Sequence, residues 1–334
     1  MYKASVWIDA GEKVECQLCH HYCKIREGRK GLCQVRQNVD GELYSLNYGK
    51  LIAANIDPIE KKPLYHFLPG SRSYSIGATG CNFRCAWCQN WDISQLSDRN
   101  NPNRLPFNAP EQVVNAAVQS GCKSISYTYT EPTIFYEFAR DVSVLAREAG
   151  LKNVWVSNGY MTRLMLDKYL PFMDAINVDI KAFDDSVYRK YAGAHLQPIL
   201  DNCVQLKKAG VWLEVTTLLI PGVNDDEGQV NGLADFIAND LGKDTPWHVS
   251  RYYPQAQFNE ISATEPQLII EVLKTGKDAG LQFVYSGNLG RKEDTHCPSC
   301  GELLISRSAL WMTGNNLKEG ACSNCGTKIA GIWE

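Results

Sequence analysis

The sequence predicts an α/β fold built as a partial (β/α)6 barrel, with a small cysteine-rich module before it and a zinc-ribbon-like module after it. Two observations predict the barrel: strand-like and helix-like segments alternate along the middle of the chain, and polar residues recur where the strands end. A third observation, the clustering of cysteines at both ends, predicts the two flanking modules. The predicted boundaries are 1–60 for the N-terminal module, 61–290 for the barrel and 291–334 for the C-terminal module.

The composition is that of a globular protein whose cysteines bind metals. The chain has 334 residues, of which 44% are hydrophobic and 21% charged, and its net charge of -3 gives no sign of a nucleic-acid or membrane partner. No apolar run approaches the ~20 residues that span a bilayer, and Asp9 and Glu12 interrupt any secretory signal. We therefore predict a cytoplasmic protein whose 13 cysteines serve as metal ligands rather than disulfides.

The first cysteine cluster lies in the predicted N-terminal module and consists of Cys16, Cys19, Cys23 and Cys33. Its spacing, Cys-x2-Cys-x3-Cys-x9-Cys, suits either zinc or an auxiliary iron–sulfur cluster, and His20 and His21 are alternative ligands. Zinc is the preferred interpretation, because nothing in the sequence demands a second electron carrier. The auxiliary cluster remains the alternative.

The barrel is predicted from strands and helices that follow one another. The predicted strands are SYSIGATG (73–80), SISYTYT (124–130), VWVSNG (154–159), AINVDIK (175–181), VWLEVTTLLIPG (211–222), WHVSRY (247–252) and LQFVY (281–285). Between them, helical spacing predicts a helix that contains Phe135, Phe138, Val142 and Leu145 and ends at Gly150. Further helices are predicted at Arg163–Tyr169, 233–241 and 268–277. Repeats of this kind imply a parallel sheet, and six or more imply a complete or partial barrel.

The loop after the first predicted barrel strand, GCNFRCAWCQNW, contains Cys81, Cys85 and Cys88. A closed zinc site takes four protein ligands and a disulfide takes two, so three thiols suit neither. A four-iron cluster normally takes four thiolates. Three thiolates therefore leave one iron without a protein ligand and free to bind a substrate. A zinc site completed by a distant fourth ligand is the alternative.

Polar residues stand at the ends of successive predicted strands. They are Glu131, Ser157, Asn158, Asp179 and Lys181, together with His248 and Arg251 in the sixth strand. Because parallel barrels carry their active sites at the carboxyl ends of the strands, we expect these residues to share one site. Structural alternatives exist, since Glu131 can complement a helix N-terminus and Asp179 can form an ion pair with Lys181.

At this point the sequence resembles the radical S-adenosylmethionine (SAM) enzymes, whose signature is Cys-x3-Cys-x-aromatic-Cys. Here the signature consists of Cys81, Cys85, Trp87 and Cys88. The segments YTYTEPT, NGY, INVDIKAF, EVTTLLIPGVND and PWHVSRYYP resemble the branch that contains the pyruvate formate-lyase-activating enzymes. The N-terminal cysteines, the YSGN at 285–288 and the cysteine-rich tail are similar to the AmmeMemoRadiSam-system radical SAM family.

The resemblance implies an enzyme that reductively cleaves SAM at a 4Fe-4S cluster, giving a 5′-deoxyadenosyl radical that abstracts hydrogen from a substrate. It implies that Cys81, Cys85 and Cys88 hold the cluster and that Glu131 binds the methionyl ammonium of SAM. It places Ser157, Asn158, Asp179, Lys181 and His248 near the SAM carboxylate, sulfonium or ribose. The implied partners are a reductant such as flavodoxin or ferredoxin, and Memo-like and AMMECR1-like proteins.

Activation of a glycyl-radical enzyme is the alternative function and not the preferred one, because the sequence departs from the glycyl-radical activases at two points. Glycyl-radical activases carry an acidic residue where this chain has Val156, and many carry a ferredoxin-like cysteine set that is missing after Cys88. A second alternative is a zinc-dependent nucleic-acid or protein adaptor without enzymatic activity. The net charge of -3 and the run of strand-end polar residues argue against an adaptor.

The C-terminal motifs HCPSCG and CSNCG predict the two knuckles of a zinc ribbon, with Cys297, Cys300, Cys322 and Cys325 as ligands. Four thiolates in glycine-containing turns fit a closed tetrahedral zinc site, and a short tail cannot build a core without one. A rubredoxin-like iron is the alternative at this site. Because the N-terminal cysteines are a second candidate zinc site, one or two zinc sites are predicted in total. Cys122 and Cys203 stand alone and are predicted to be small buried hydrophobes.

Overall fold

A computed structural model describes all residues of the chain, 1–334. The N-terminal part of the chain forms two small antiparallel sheets. One sheet has the order β1-β6-β5 and the other the order β2-β3-β4. The strands are β1 (Tyr2–Lys3), β2 (Trp7–Asp9), β3 (Lys13–Cys16), β4 (Lys24–Arg26), β5 (Arg36–Val39) and β6 (Glu42–Ser45). Buried residues of this module, such as Val14 and Val35, belong to the same apolar cluster as the barrel core. The module therefore packs as an extension of the barrel.

Seven parallel strands form the partial barrel, which confirms the predicted fold class. They pair in chain order and are β8 (Arg72–Ala78), β9 (Ser124–Tyr127), β10 (Lys152–Ser157), β11 (Ala175–Asp179), β12 (Trp212–Leu219), β13 (Trp247–Arg251) and β14 (Val284–Gly287). An eighth strand, β7 (Leu51–Pro58), pairs antiparallel with β8, although its residues fall within the predicted N-terminal module. Because β7 and β14 form the two edges of the sheet and do not pair, the barrel is open.

Helices connect the parallel strands and cover the sheet. They are α1 (Trp91–Ser94), α2 (Pro110–Gln119), α3 (Tyr136–Glu148), α4 (Arg163–Tyr169), α5 (Asp185–Val187), α6 (Gln197–Lys208), α7 (Glu227–Phe236) and α8 (Pro266–Asp278). The chain leaves α3 through Gly150, whose φ of 75° suits glycine. The predicted helix at Arg163–Tyr169 is α4, and the Thr162 side chain caps it by accepting a hydrogen bond from the N–H of Met165.

The C-terminal residues form a separate sheet and a hairpin that pack against the barrel. The sheet contains β15 (Thr295–His296), β16 (Leu303–Ser308) and β17 (Trp311–Asn315), and the hairpin contains β18 (Leu317–Lys318) and β19 (Ala321–Cys322). Arg307 is buried and donates to the backbone oxygen of Tyr65 at 2.8 Å. The module therefore makes specific contact with the segment that leads into the barrel.

No helix of the structure has both the length and the apolar character needed to cross a membrane.

Candidate active site

The cysteine loop, defined here as residues 80–91, begins just after β8. Gly80 has a φ of 108°, which side-chain-bearing residues rarely adopt, and this conformation turns the chain from the strand into the loop. The N–H of Ala86 donates to the backbone oxygen of Tyr191 at 3.1 Å. Trp87, the aromatic residue of the motif, is buried with its ring centroid 5.6 Å from that of Phe258. Backbone bonds and aromatic packing thus hold the loop in place.

Cys81, Cys85 and Cys88 line a cavity of about 560 Å³, a size typical of small-molecule sites. The other predicted site residues in its walls are Glu131, Ser157, Asn158, Asp179 and Lys181. These residues follow or end β8, β9, β10 and β11. Because those strands are parallel, their carboxyl ends meet at one edge of the sheet, which brings together residues about 100 positions apart in the chain.

Glu131 is fixed by hydrogen bonds from its neighbours. Its Oε1 accepts from the N–H of Thr133 at 3.0 Å and from Ser157 Oγ at 2.8 Å, and its Oε2 accepts from the N–H of Asn158 at 2.9 Å. Burial raises the pKa of Glu131, although the bonds from Asn158 and Thr133 oppose the increase. Glu131 caps the short turn Pro132–Phe135, as its structural alternative predicted. Each carboxylate oxygen has two acceptor positions, so Oε2 also has capacity for a ligand.

Lys181 and Asp179 form the ion pair that the sequence suggested, and both residues line the cavity. Lys181 Nζ lies 3.4 Å from Asp179 Oδ2. Burial by itself lowers the pKa of Lys181, but Asp179 and Cys85 more than offset this effect and the pKa is raised. Burial raises the pKa of Cys85 to about 11, and the charge of Lys181 opposes that increase. Lys181 is therefore a cation whose charge favours a thiolate at Cys85.

His248 does not line this cavity, in contrast to the prediction. Its Nε2 lies 2.6 Å from Glu214 Oε2 inside the barrel, and its ring stacks on that of Tyr285 with centroids 5.4 Å apart. Two backbone N–H groups also bind the Glu214 carboxylate. Side chains two positions apart on a strand share a face but differ in depth. Accordingly Ser250, two residues nearer the carboxyl end of β13, lines the cavity instead.

Several cavity residues were not predicted from the sequence, namely Lys62, Tyr129, Thr216, Ser250 and Asn288. Lys62 is buried with its Nζ 2.6 Å from Asp57 Oδ2, and burial lowers the pKa of Lys62 to about 8. The hydroxyl of Tyr129 donates to the same Asp57 oxygen at 2.6 Å. Lys62 precedes the first parallel strand, so the strand-end pattern could not identify it. Tyr129 lies within the YTYTEPT segment, whose resemblance to the activating enzymes could have identified it as a cavity residue.

The four C-terminal cysteines form a compact group. The ligand atoms of Cys297, Cys300, Cys322 and Cys325 all lie within 4.8 Å of one another. The Sγ–Sγ distance is 3.6 Å between Cys297 and Cys325 and 3.7 Å between Cys300 and Cys322. Zn–S bonds of about 2.3 Å in a tetrahedron separate the sulfurs by roughly 3.8 Å. The spacing thus fits a single tetrahedral ion.

The three thiols of the cysteine loop have a different arrangement. The C-terminal group is the one set of three or more histidine, cysteine, aspartate or glutamate ligand atoms with the short mutual distances of a single-ion site. The walls of the 560 Å³ cavity contain no histidine and no cysteine besides Cys81, Cys85 and Cys88. Three separated thiols without a fourth such ligand fit a four-iron cluster with one open iron, and they do not fit a closed zinc site.

The N-terminal cysteines line a second, smaller cavity. Cys16, Cys19, Cys23 and Cys33 border it together with His21, Arg36 and Asn82. His20 is not among the lining residues. Cys122 and Cys203 are buried and lie in none of these groups, as expected of small apolar residues. The structure therefore keeps the three predicted cysteine groups separate.

Comparison with known proteins gives one family match and two sequence relatives. Residues 75–230 match the family model described as the Radical SAM superfamily. The chain is 43% identical over 323 residues to the uncharacterized protein MJ0808 of Methanocaldococcus jannaschii, with 95% of each chain covered. It is also 32% identical over 114 residues to the (2S)-3-sulfopropanediol dehydratase activating enzyme of Klebsiella oxytoca, covering 34% of this chain and 35% of the relative.

A solved structure supports the fold. A radical SAM methyltransferase from Sphaerobacter thermophilus superimposes with a TM-score of 0.52 at 16% identity, covering 91% of this chain and 80% of the other. At this identity the similarity concerns the fold alone.

Proposed function

Because the chain belongs to the radical SAM superfamily of enzymes, we propose that its cysteine loop holds a 4Fe-4S cluster and that the adjoining cavity binds SAM. When bound, the cluster supplies the electron that cleaves SAM to methionine and a 5′-deoxyadenosyl radical, which takes hydrogen from a substrate. One observation carries the proposal. Three thiols and the polar strand-end residues line one cavity, and no other cysteine and no histidine shares it.

The residues of the cavity have distinct proposed roles. Glu131 binds the ammonium group of SAM through its carboxylate, which Ser157 and Asn158 hold in position by hydrogen bonds. Lys181 supplies the positive charge for the SAM carboxylate and for the loop thiolates, and Asp179 accepts hydrogen bonds from the ribose hydroxyls. The Lys181–Asp179 contact of 3.4 Å keeps both side chains oriented before SAM binds.

The test is SAM cleavage by the anaerobically reconstituted protein with dithionite as reductant. We expect 5′-deoxyadenosine and methionine from the wild type and neither product from Cys85→Ala. Cys203→Ala is the matched control, since Cys203 is a buried lone cysteine in α6. Absence of 5′-deoxyadenosine from wild-type protein with a fully loaded, reducible cluster would contradict the proposed function.

A second candidate function is the activation of a glycyl-radical enzyme. The 32% identity to a dehydratase activating enzyme favours it, although the match covers only 35% of that relative. Val156 in place of an acidic residue argues against it. A glycyl-radical electron paramagnetic resonance (EPR) signal in a dehydratase incubated with this protein, SAM and reductant would support this candidate.

We also propose that the chain acts in the AmmeMemoRadiSam system, with a flavodoxin or ferredoxin as reductant. The N-terminal cysteines, the YSGN segment and the cysteine-rich tail support this assignment. Pull-down of the tagged protein from its native cell tests the assignment. Recovery of a Memo-like or AMMECR1-like protein is expected, and recovery of neither would count against it.

For the C-terminal module, residues 291–334, we propose structural zinc. The Sγ–Sγ distances of 3.6 and 3.7 Å support one tetrahedral ion. Arg307 joins the module to the barrel, and none of the four cysteines lines the 560 Å³ cavity, although Leu310 of the module does.

A further inference from the structure

The four N-terminal thiols surround one space without meeting at a point. Cys16, Cys19, Cys23 and Cys33 all line the same cavity, so they face a common volume. They do not form a group with mutual distances below 4.8 Å, whereas the C-terminal four do. A single zinc ion draws four thiolates to roughly 3.8 Å from one another. In a four-iron cluster each thiolate binds a different iron, so the sulfurs are further apart.

The cysteine loop provides an internal comparison. Its three thiols also share a cavity without the short distances of a single-ion site. The chain therefore contains two widely spaced thiol groups and one compact group. By spacing, the N-terminal cysteines belong with the cysteine loop and not with the zinc-ribbon-like tail.

The two histidines near these cysteines are not needed to complete the ligand set. His21 Nε2 lies 2.8 Å from the backbone oxygen of Asn82 and is engaged there. His20 does not border the cavity. Four cysteines line the cavity, and four cysteines are the usual ligand set of a complete iron–sulfur cluster.

Two buried donors without partners border the same space. Arg36 is 1% exposed, and its Nη2 contacts Glu137 Oε2 at 2.6 Å, but its Nη1 has no hydrogen-bond partner. Asn82 is 3% exposed, and its Nδ2 also lacks a partner. Leaving a buried donor unsatisfied is costly. Hydrogen bonds to the sulfur atoms of an iron–sulfur cluster would satisfy donors at this position.

From these observations we propose that Cys16, Cys19, Cys23 and Cys33 hold an auxiliary 4Fe-4S cluster, in place of the zinc ion that the sequence favoured. Asn82 borders this cavity and directly follows Cys81 in the chain, so the auxiliary cluster is a neighbour of the cysteine loop. The proposal concerns ligation only, and it stands whether or not the loop cleaves SAM.

The decisive experiment uses a full-length variant with Cys81, Cys85 and Cys88 all changed to Ala, which leaves the N-terminal module untouched. After anaerobic reconstitution with iron and sulfide, we expect about four iron and four sulfide per chain, the content of one 4Fe-4S cluster, with about one zinc. Reduction with dithionite should give an EPR signal from this cluster alone. The wild type should contain about twice as much iron.

The matched control adds Cys19→Ser and Cys33→Ser to the same background. We expect it to lose the remaining iron and sulfide and to keep the zinc, because the C-terminal site is unchanged. If the triple-alanine variant contains no iron, with or without a second zinc, the proposal is wrong. About two irons per chain would likewise contradict the four-iron assignment.

Discussion

Two buried glutamates, Glu131 and Glu137, differ in the direction of their pKa shift because only Glu137 has a cation beside it. Burial raises the pKa of both, but Glu137 lies 2.6 Å from Arg36, whose charge brings the Glu137 pKa below its ordinary value. Glu131 has no cation beside it, receives hydrogen bonds from neutral donors only, and keeps a raised pKa. A buried carboxylate without a countercharge can gain most from a cationic ligand, which fits the proposed contact with the SAM ammonium.

We predict that Glu131→Gln weakens SAM binding by about 10- to 100-fold, because a hydrogen bond to a charged group contributes about 1.5–3 kcal/mol. Asp179→Asn should weaken SAM binding as well. Both variants should keep their iron, since neither residue is a thiol ligand. The measurement is the SAM dissociation constant of the cluster-loaded protein under anaerobic conditions.

Glu60→Gln is the matched control for this prediction. Glu60 is a buried glutamate with a raised pKa, like Glu131, but it does not line the cavity. Normal SAM affinity in both the Glu131 and the Asp179 variants would show that the strand-end residues do not bind SAM.

At the scale of elements, the N-terminal module is joined to α3 by a buried ion pair. Glu137, in the first turn of α3, accepts hydrogen bonds from Arg36 Nη2 of β5 at 2.6 Å and from the N–H of Ser5 at 3.0 Å. Both charged side chains are 1% exposed. Removal of one partner leaves an uncompensated buried charge, which is far more costly than the loss of a surface pair.

We predict that Glu137→Gln lowers the free energy of unfolding by about 3–5 kcal/mol, as for other buried pairs that lose one partner. Glu148→Gln is the control on the same helix, because Glu148 is exposed and its replacement should change stability by less than about 0.5 kcal/mol. Denaturant unfolding of the metal-loaded protein provides the measurement. Equal stability of the two variants would show that the pair does not hold the module in place.

The pH dependence of this pair follows from the lowered pKa of Glu137. A carboxyl group with a depressed folded-state pKa stabilises the protein fully above its ordinary pKa, and the stabilisation is lost as the pH falls through the folded value. The difference between the wild type and Glu137→Gln should therefore stay constant from pH 8 down to about 5.5 and shrink only at more acidic pH. Loss of the difference near neutral pH would contradict the assignment.

At the scale of the whole molecule, the cysteine groups differ in what the loss of their metal affects. The cysteine loop is held by backbone bonds and by the packing of Trp87, so the barrel does not depend on its metal for folding. Cys297 and Cys322 of the C-terminal module belong to a small buried cluster that the module shares with Phe283 and Tyr285 of the barrel. The binding energy of a metal at those cysteines is effectively folding energy for this module.

We predict that Cys300→Ser or Cys325→Ser removes about one zinc per chain, makes the tail sensitive to protease and leaves the iron content unchanged. Cys85→Ala should show the opposite pattern, with loss of iron bound at the loop, normal zinc and a protected tail. Metal analysis and limited proteolysis of the same preparations distinguish the two. Loss of iron on removing Cys300 would contradict the division between catalytic and structural metal.

Much of the architecture was predictable because it depends on local patterns. The alternation of strand-like and helix-like segments predicted the parallel strands, and the short helix predicted at Arg163–Tyr169 is α4. Since parallel strands end at one edge of a sheet, the order of the strands alone brought Glu131, Asn158 and Asp179 to the same cavity. The motif spacing also separated the cysteines into three groups.

The sequence by itself thus determined the fold class, the superfamily and the grouping of the cysteines, since each of these depends on the order and spacing of residues along the chain. Only the tertiary structure decided the depth of His248 in the barrel, the approach of Lys62 to the cavity and the spacing of the N-terminal thiols. The physical reason is that depth and thiol spacing depend on how remote segments pack. The motif Cys-x2-Cys-x3-Cys-x9-Cys is compatible with a single metal ion or with a four-iron cluster. Only the packing of remote segments, which brings Arg36 and Asn82 to the same cavity, determines the space between the four thiols.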